Sequence, residues 1–139
     1  MDNCGALLVL VGLAMVAIVI VVVNIVQGRS AALARLEAEQ RFRQYAESWA
    51  AARSSENIDA FVRCGEYIIK ASRLWQPHLV EKFAWEVYRE VLQRLRKNPQ
   101  LKPFALEIGR AAYSARRPGR ELTIYDEQAI QNDIMVHSE

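Results

Sequence analysis

Residues 6–27 read ALLVLVGLAMVAIVIVVVNIVQ, an uncharged run in which only Gly12, Asn24 and Gln27 are not apolar. At about 1.5 Å per residue, 22 residues span roughly 33 Å, enough for a hydrocarbon core of about 30 Å. The Val/Ile run from Val16 to Val23 favours a strand in water. In lipid a lone strand leaves its backbone groups unpaired, so the pattern predicts a membrane-spanning helix. Beyond it the apolar positions change to a three-and-four spacing. Leu33, Leu36, Phe42, Tyr45 and Trp49 make a partial stripe in an Ala/Glu/Arg-rich helix over 28–53, with Glu37–Arg41 and Glu39–Arg43 as i,i+4 pairs. That helix either continues out of the span or joins it through a break at Gln27-Gly28; its first half reads as a stalk and its second as a docked helix.

Residues 54–139 predict further helices. Asn57 in the Ser54–Asn57 cluster is the expected cap for a helix carrying Ile58, Phe61, Val62, Gly65, Ile68 and Ile69. Pro77 suits the opening of a third helix, whose broad face of Val80, Phe83, Ala84, Val87, Tyr88, Val91, Leu92 and Leu95 makes it the expected centre of the core. Asn98-Pro99 ends it. A fourth helix bears Leu101, Phe104, Ala105, Ile108 and Ala112, with Pro103 in its first turn and Gly109 suggesting a close helix approach. Arg117-Pro118-Gly119-Arg120 is a turn, residues 121–125 an extended piece, and Asp126 or Thr123 the cap of a last helix with Ile130 and Ile134. The fold class expected is all-α: one transmembrane helix and a small bundle of four or five helices. A tetratricopeptide reading fails, because no self-similarity recurs at that repeat's length.

Flanking charge predicts orientation. No Lys or Arg precedes the span, whereas Arg29, Arg35, Arg41 and Arg43 follow it closely, so residues 1–5 are expected outside and the helical domain in the cytoplasm. The competing reading is a secretory signal cut after Ala32-Leu33-Ala34, but the apolar run is long for one and lacks a basic start. Cys4 precedes the apolar run, opposite to a lipoprotein signal; beside a bilayer it could carry an acyl chain, and a spectator cysteine is the simpler reading.

The overall 52% apolar content owes much to the N-terminal run, and the remainder has the composition of an ordinary soluble domain. Two cysteines exclude a disulfide-rich scaffold. His78 and Glu81 stand i,i+3, but the order is reversed and single relative to a di-iron Glu-x-x-His pattern. Asp126, Glu127 and Asp133 lack the alternation and glycine of a calcium loop. Cys64, with Arg63 or His78 as the only prospective activators, reads as a small core residue. No metal, cofactor or catalytic residue is therefore expected, and the chain is read as a non-enzyme.

Charge is the least ordinary feature. Residues 89–120 hold nine basic groups against Glu90 and Glu107, and residues 121–139 hold five acids with no Lys or Arg, a polarity that the net charge of +2 hides. Either the acidic tail folds back on the basic segment, or Arg110, Arg116, Arg117 and Arg120 bind anions. Lipid headgroups are favoured over nucleic acid, for which no recognised motif exists. Trp85, among Glu81, Lys82, Glu86 and Arg89, is either an exposed interface anchor or packed on a neighbouring helix. Gly12 and Ala14 offer small surfaces in the span, without a GxxxG motif.

Residues 105–134, with Gly109-Arg110, Tyr113, Arg117-Pro118-Gly119 and Thr123-Ile124-Tyr125-Asp126-Glu127, resemble a C-terminal module of uncharacterised bacterial proteins. The resemblance implies a bacterial origin and no activity, ligand or catalytic residue. The functional expectation is a membrane-anchored helical domain that binds another protein as an anchor or accessory subunit. The alternative is electrostatic binding of anionic headgroups or nucleic acid through residues 89–120.

Overall fold

The computed structural model describes residues 2–139. It is all-α: α1 (Asp2–Arg53), α2 (Ile58–Trp75), α3 (Leu79–Arg94), a 3-10 turn (Pro99–Leu101), α4 (Lys102–Arg116) and α5 (Ile124–Ser138). The first helix is unbroken through Gln27 and Gly28, so of the two sequence alternatives the continuous one is found. Contacts divide the chain into one unit up to Glu37 and a compact unit from Ala38 to Glu139.

In the first unit, the large apolar side chains from Leu7 to Val26 are 45–72% exposed. This half of α1 is long and apolar enough to cross a membrane. Leu33 and Leu36 are exposed as well.

The second unit is a bundle in which α3 is central, packing against α2, α4 and α5. Its apolar face buries Ala84, Val87, Tyr88 and Val91 completely or nearly so, as the sequence pattern demands. Leu95, counted with that face, lies just past the helix end and is still buried. The last turns of α1 close one side of the bundle with aromatic pairs: Phe42 on Phe83 at 5.6 Å, Tyr45 on Tyr67 at 5.1 Å and Trp49 on Phe61 at 5.3 Å between centroids. Arginines fasten the same junction. Arg53 pairs with Glu86 and with Glu90 (2.8 Å), while Arg94 of α3 donates to the carbonyls of Arg53 and Ser55 and lies over the Phe61 ring at 4.0 Å. The Arg53 carbonyl at the end of α1 is thereby satisfied by α3, while those of Ala51 and Ala52 accept from the Ser54 and Ser55 N–H groups.

Local signals position the other elements. Asn57 Oδ1 accepts from the Ala60 N–H and caps α2. Pro77 lies in the turn before α3, its carbonyl accepting from Val80. Gly119 has φ +79°, and Arg120 N–H returns to the Arg117 carbonyl, the arrangement a type II turn with Pro at its second position requires. The last helix departs from the expected boundaries: it starts at Ile124, and of the residues just before it Thr123 is extended. Thr123 alone is the cap, because Asp126 completes a reciprocal capping box. Thr123 Oγ1 accepts from Asp126 N–H, and Asp126 Oδ2 accepts from Thr123 N–H at 3.0 Å.

Gly109 sits where α3, α4 and α5 meet. A Cβ there would lie 2.9 Å from both Ile130 Cγ2 and Tyr88 Cε1, so the close approach expected from the sequence has a definite cause.

Candidate interaction surface

The basic segment is distributed over α3, the connection, α4 and the turn that follows α4. Arg110 grips Glu127 of α5 through Nε (3.0 Å) and Nη2 (3.3 Å), and Arg117 Nη2 reaches Asp126 Oδ1 at 3.4 Å. The acidic C-terminal stretch therefore folds back over two of the nine basic groups. Arg94 is committed to backbone carbonyls, and Glu90 to Arg53. Among the described residues, no carboxylate lies within 4 Å of the cationic atoms of Arg89, Arg96, Lys97, Lys102, Arg116 or Arg120.

Asp126 is buried with its carboxylate held below the usual range. The backbone N–H of Thr123 is the main cause, its hydroxyl and then Arg117 and Arg116 add to the effect, and burial opposes it.

Trp85 and Arg116 are brought together from α3 and α4. Trp85 is half-buried, its ring 4.9 Å from Tyr113 and 5.7 Å from Tyr88, and the Arg116 guanidinium lies 3.9 Å over the indole. The indole is thus packed on the neighbouring helix. The sequence offers Trp85 as either an exposed anchor or packed on a neighbouring helix; its contacts with Tyr113 and Arg116 of α4 have no signal in the spacing along α3. Beneath them Tyr88 donates to Asp133 Oδ2 at 3.0 Å. Burial first, then the Asp133 charge, push the Tyr88 phenol well above its ordinary value, and Tyr113 shifts in the same direction for the same reasons.

His78, Glu81, Lys82, Trp85, Arg89 and Arg116 line a cleft of about 520 Å³. A second cleft, about 350 Å³, runs between α2 and α4 over Ile69, Ile108, Ala111 and Leu122. On α5, Ile124 and Tyr125 at one end and Met135 and Val136 at the other stay exposed, although the opposite side buries Ile130 and Ile134. Cys64 is half-buried and packs against the core, and His137 Nδ1 contacts the Asp133 carbonyl. Among the described residues, no group of three His, Cys, Asp or Glu side chains could hold a metal ion.

The fold and surface define an all-α protein: a helical bundle preceded by a helix with the length and composition of a membrane span. Comparison with protein families, curated proteins and solved structures finds no match to this chain.

Proposed function

We propose that the chain is a single-pass membrane protein whose helical body binds another protein, as an anchor or accessory subunit without chemistry of its own. The observation that carries this reading is the outward-facing apolar surface of α1 between Leu7 and Val26. Apolar side chains on every side of a helix, with no protein against them, call for lipid as the surroundings. The arginines that follow the span support a cytoplasmic bundle, because basic residues beside a span resist translocation. The exposed apolar residues of α5 supply a surface for a protein partner: Tyr125 is 82% exposed, and an aromatic residue in that position is a natural anchor.

The experiment has two parts. Carbonate washing is expected to leave the full chain in the membrane pellet, and a reporter active only in the cytoplasm is expected to work when fused after Glu139. Release by carbonate, or a silent but stable fusion, overturns the membrane reading. For the partner, a photo-crosslinking residue at position 125 should give one discrete adduct in intact membranes, and Ile124→Asp should abolish it.

A second reading is favoured by the six cationic side chains without carboxylate partners: electrostatic attachment to an anionic surface. Salt separates the two, since electrostatic binding weakens across moderate ionic strength and an apolar contact survives it.

A further inference from the structure

We infer that the cleft over Trp85 is a binding site for a phosphate monoester, the terminal phosphate of a small molecule or of a lipid headgroup. This rests on the electrostatic reading and replaces a diffuse basic segment by a defined pocket. Three observations carry it.

The first is placement. Lys82, Trp85 and Arg89 are three and four residues apart on α3, so they share one face, and Arg116 comes to the same cleft from the end of α4. Neither Arg89 nor Arg116 has a carboxylate within 4 Å; the side-chain hydrogen bond of Arg89 goes from Nε to the Trp85 carbonyl of its own helix, at 3.4 Å.

The second is orientation. Arg116 holds its guanidinium carbon over the indole, 3.9 Å from the ring centroid, and 5.3 Å from that of Tyr113. A guanidinium held over an aromatic ring keeps its N–H donors for hydrogen bonding, and its fork matches two oxygens of one phosphate. The ordering that an anion would otherwise impose on a long side chain is already in place.

The third is charge and size. Lys82, Arg89 and Arg116 against Glu81 leave the lining two positive charges. A phosphate monoester carries about −1.5 to −2 near neutral pH, whereas a diester carries a single negative charge. A cleft of about 520 Å³ lies within the usual range for a small-molecule site.

The test uses the full chain reconstituted in phosphatidylcholine nanodiscs. Glycerol 3-phosphate and dimethyl phosphate are titrated calorimetrically, and flotation is measured with phosphatidylcholine vesicles containing phosphatidic acid or an equal content of phosphatidylglycerol. Arg89→Gln and Arg116→Gln should each weaken monoester binding about tenfold or more, as expected for loss of a charged hydrogen-bond donor. Arg96→Gln and Arg120→Gln, which remove the same charge elsewhere, should change it less than about twofold. Arg89 is exposed and its side-chain hydrogen bond stays within its own helix, so its variant remains informative if loss of Arg116 disturbs Trp85. Binding confined to glycerol 3-phosphate identifies a soluble ligand, and binding confined to phosphatidic acid vesicles identifies a headgroup; both support the site. Equal effects of all four substitutions, or dimethyl phosphate binding as tightly as the monoester, overturn the pocket while leaving the electrostatic reading intact. If no anionic probe or vesicle binds, both fall.

Discussion

Tyr88 of α3 donates its phenolic proton to Asp133 of α5 at 3.0 Å, beneath the aromatic cluster that α3 and α4 share. Tyr88 is 1% exposed. Because burial and then Asp133 raise its titration above the ordinary 10.0, the folded protein keeps a proton that the unfolded chain gives up. The sign follows: this contribution to stability is complete below about pH 10 and is lost as pH rises toward the folded value. Urea denaturation repeated between neutral pH and pH 11 should show a steeper alkaline loss for the wild type than for Tyr88→Phe. At neutral pH the Phe variant should be less stable by about 1 kcal/mol.

Gly109→Ala tests the meeting point of three helices. The added methyl would sit 2.9 Å from Ile130 and from the Tyr88 ring, and overpacking of this kind costs about 1–3 kcal/mol. Alanine's better helix propensity returns about 1 kcal/mol of that. Gly28→Ala is the control, since a Cβ there meets nothing within 4 Å. Chemical denaturation of the reconstituted chain should show Gly109→Ala destabilised and Gly28→Ala unchanged or slightly stabilised.

Removal of Arg94 should loosen the docked end of α1. Arg94→Ala loses the hydrogen bonds to two carbonyls and the stack on Phe61, at a cost of about 1–3 kcal/mol. Arg94→Lys should recover only part, because an ammonium group cannot present the fixed fork that reaches both carbonyls. Amide exchange should accelerate over the last two turns of α1 and stay unchanged in α4.

Acid should act on α5 through its cap. The Asp126 carboxylate, held low by the Thr123 N–H, contributes stability above the ordinary carboxylate value of 3.8, and this is lost as pH falls through the lower folded value. Asp126→Asn should flatten that acid limb in a pH series of thermal melts. Thr123→Ala, which keeps the carboxylate but removes the hydroxyl of the box, should cost about 1 kcal/mol at neutral pH.

The parts of this fold legible in the sequence are those determined within a few residues. Asn57 as a cap, the Pro118-Gly119 reversal and the apolar face of α3 each follow from neighbours one or two turns away, and each is found. The start of α5 was displaced because Thr123 and Asp126 both have capping chemistry, and only their mutual hydrogen bonds decide which is the cap. The surface was harder to read. Charge polarity between residues 89–120 and 121–139 was visible, yet which arginine meets which acid depends on how α4 and α5 cross. Arg110 and Arg117 were absorbed by Glu127 and Asp126, while Arg116, adjacent in sequence to Arg117, turns instead to an indole 31 positions earlier. Contacts of that separation have no periodicity to announce them.

Trp49 is 2% exposed, and its indole N–H, like that of Trp85, is buried without a hydrogen-bond acceptor among the described residues. Indoles kept from water emit at shorter wavelengths than solvated ones, so these two give the native protein a blue-weighted fluorescence. Trp49 rides on α1, and Trp85 is held by α4. A Trp75→Phe, Trp85→Phe background therefore leaves Trp49 as an optical gauge of whether the last turns of α1 are seated in the bundle, readable in a membrane preparation without any added dye.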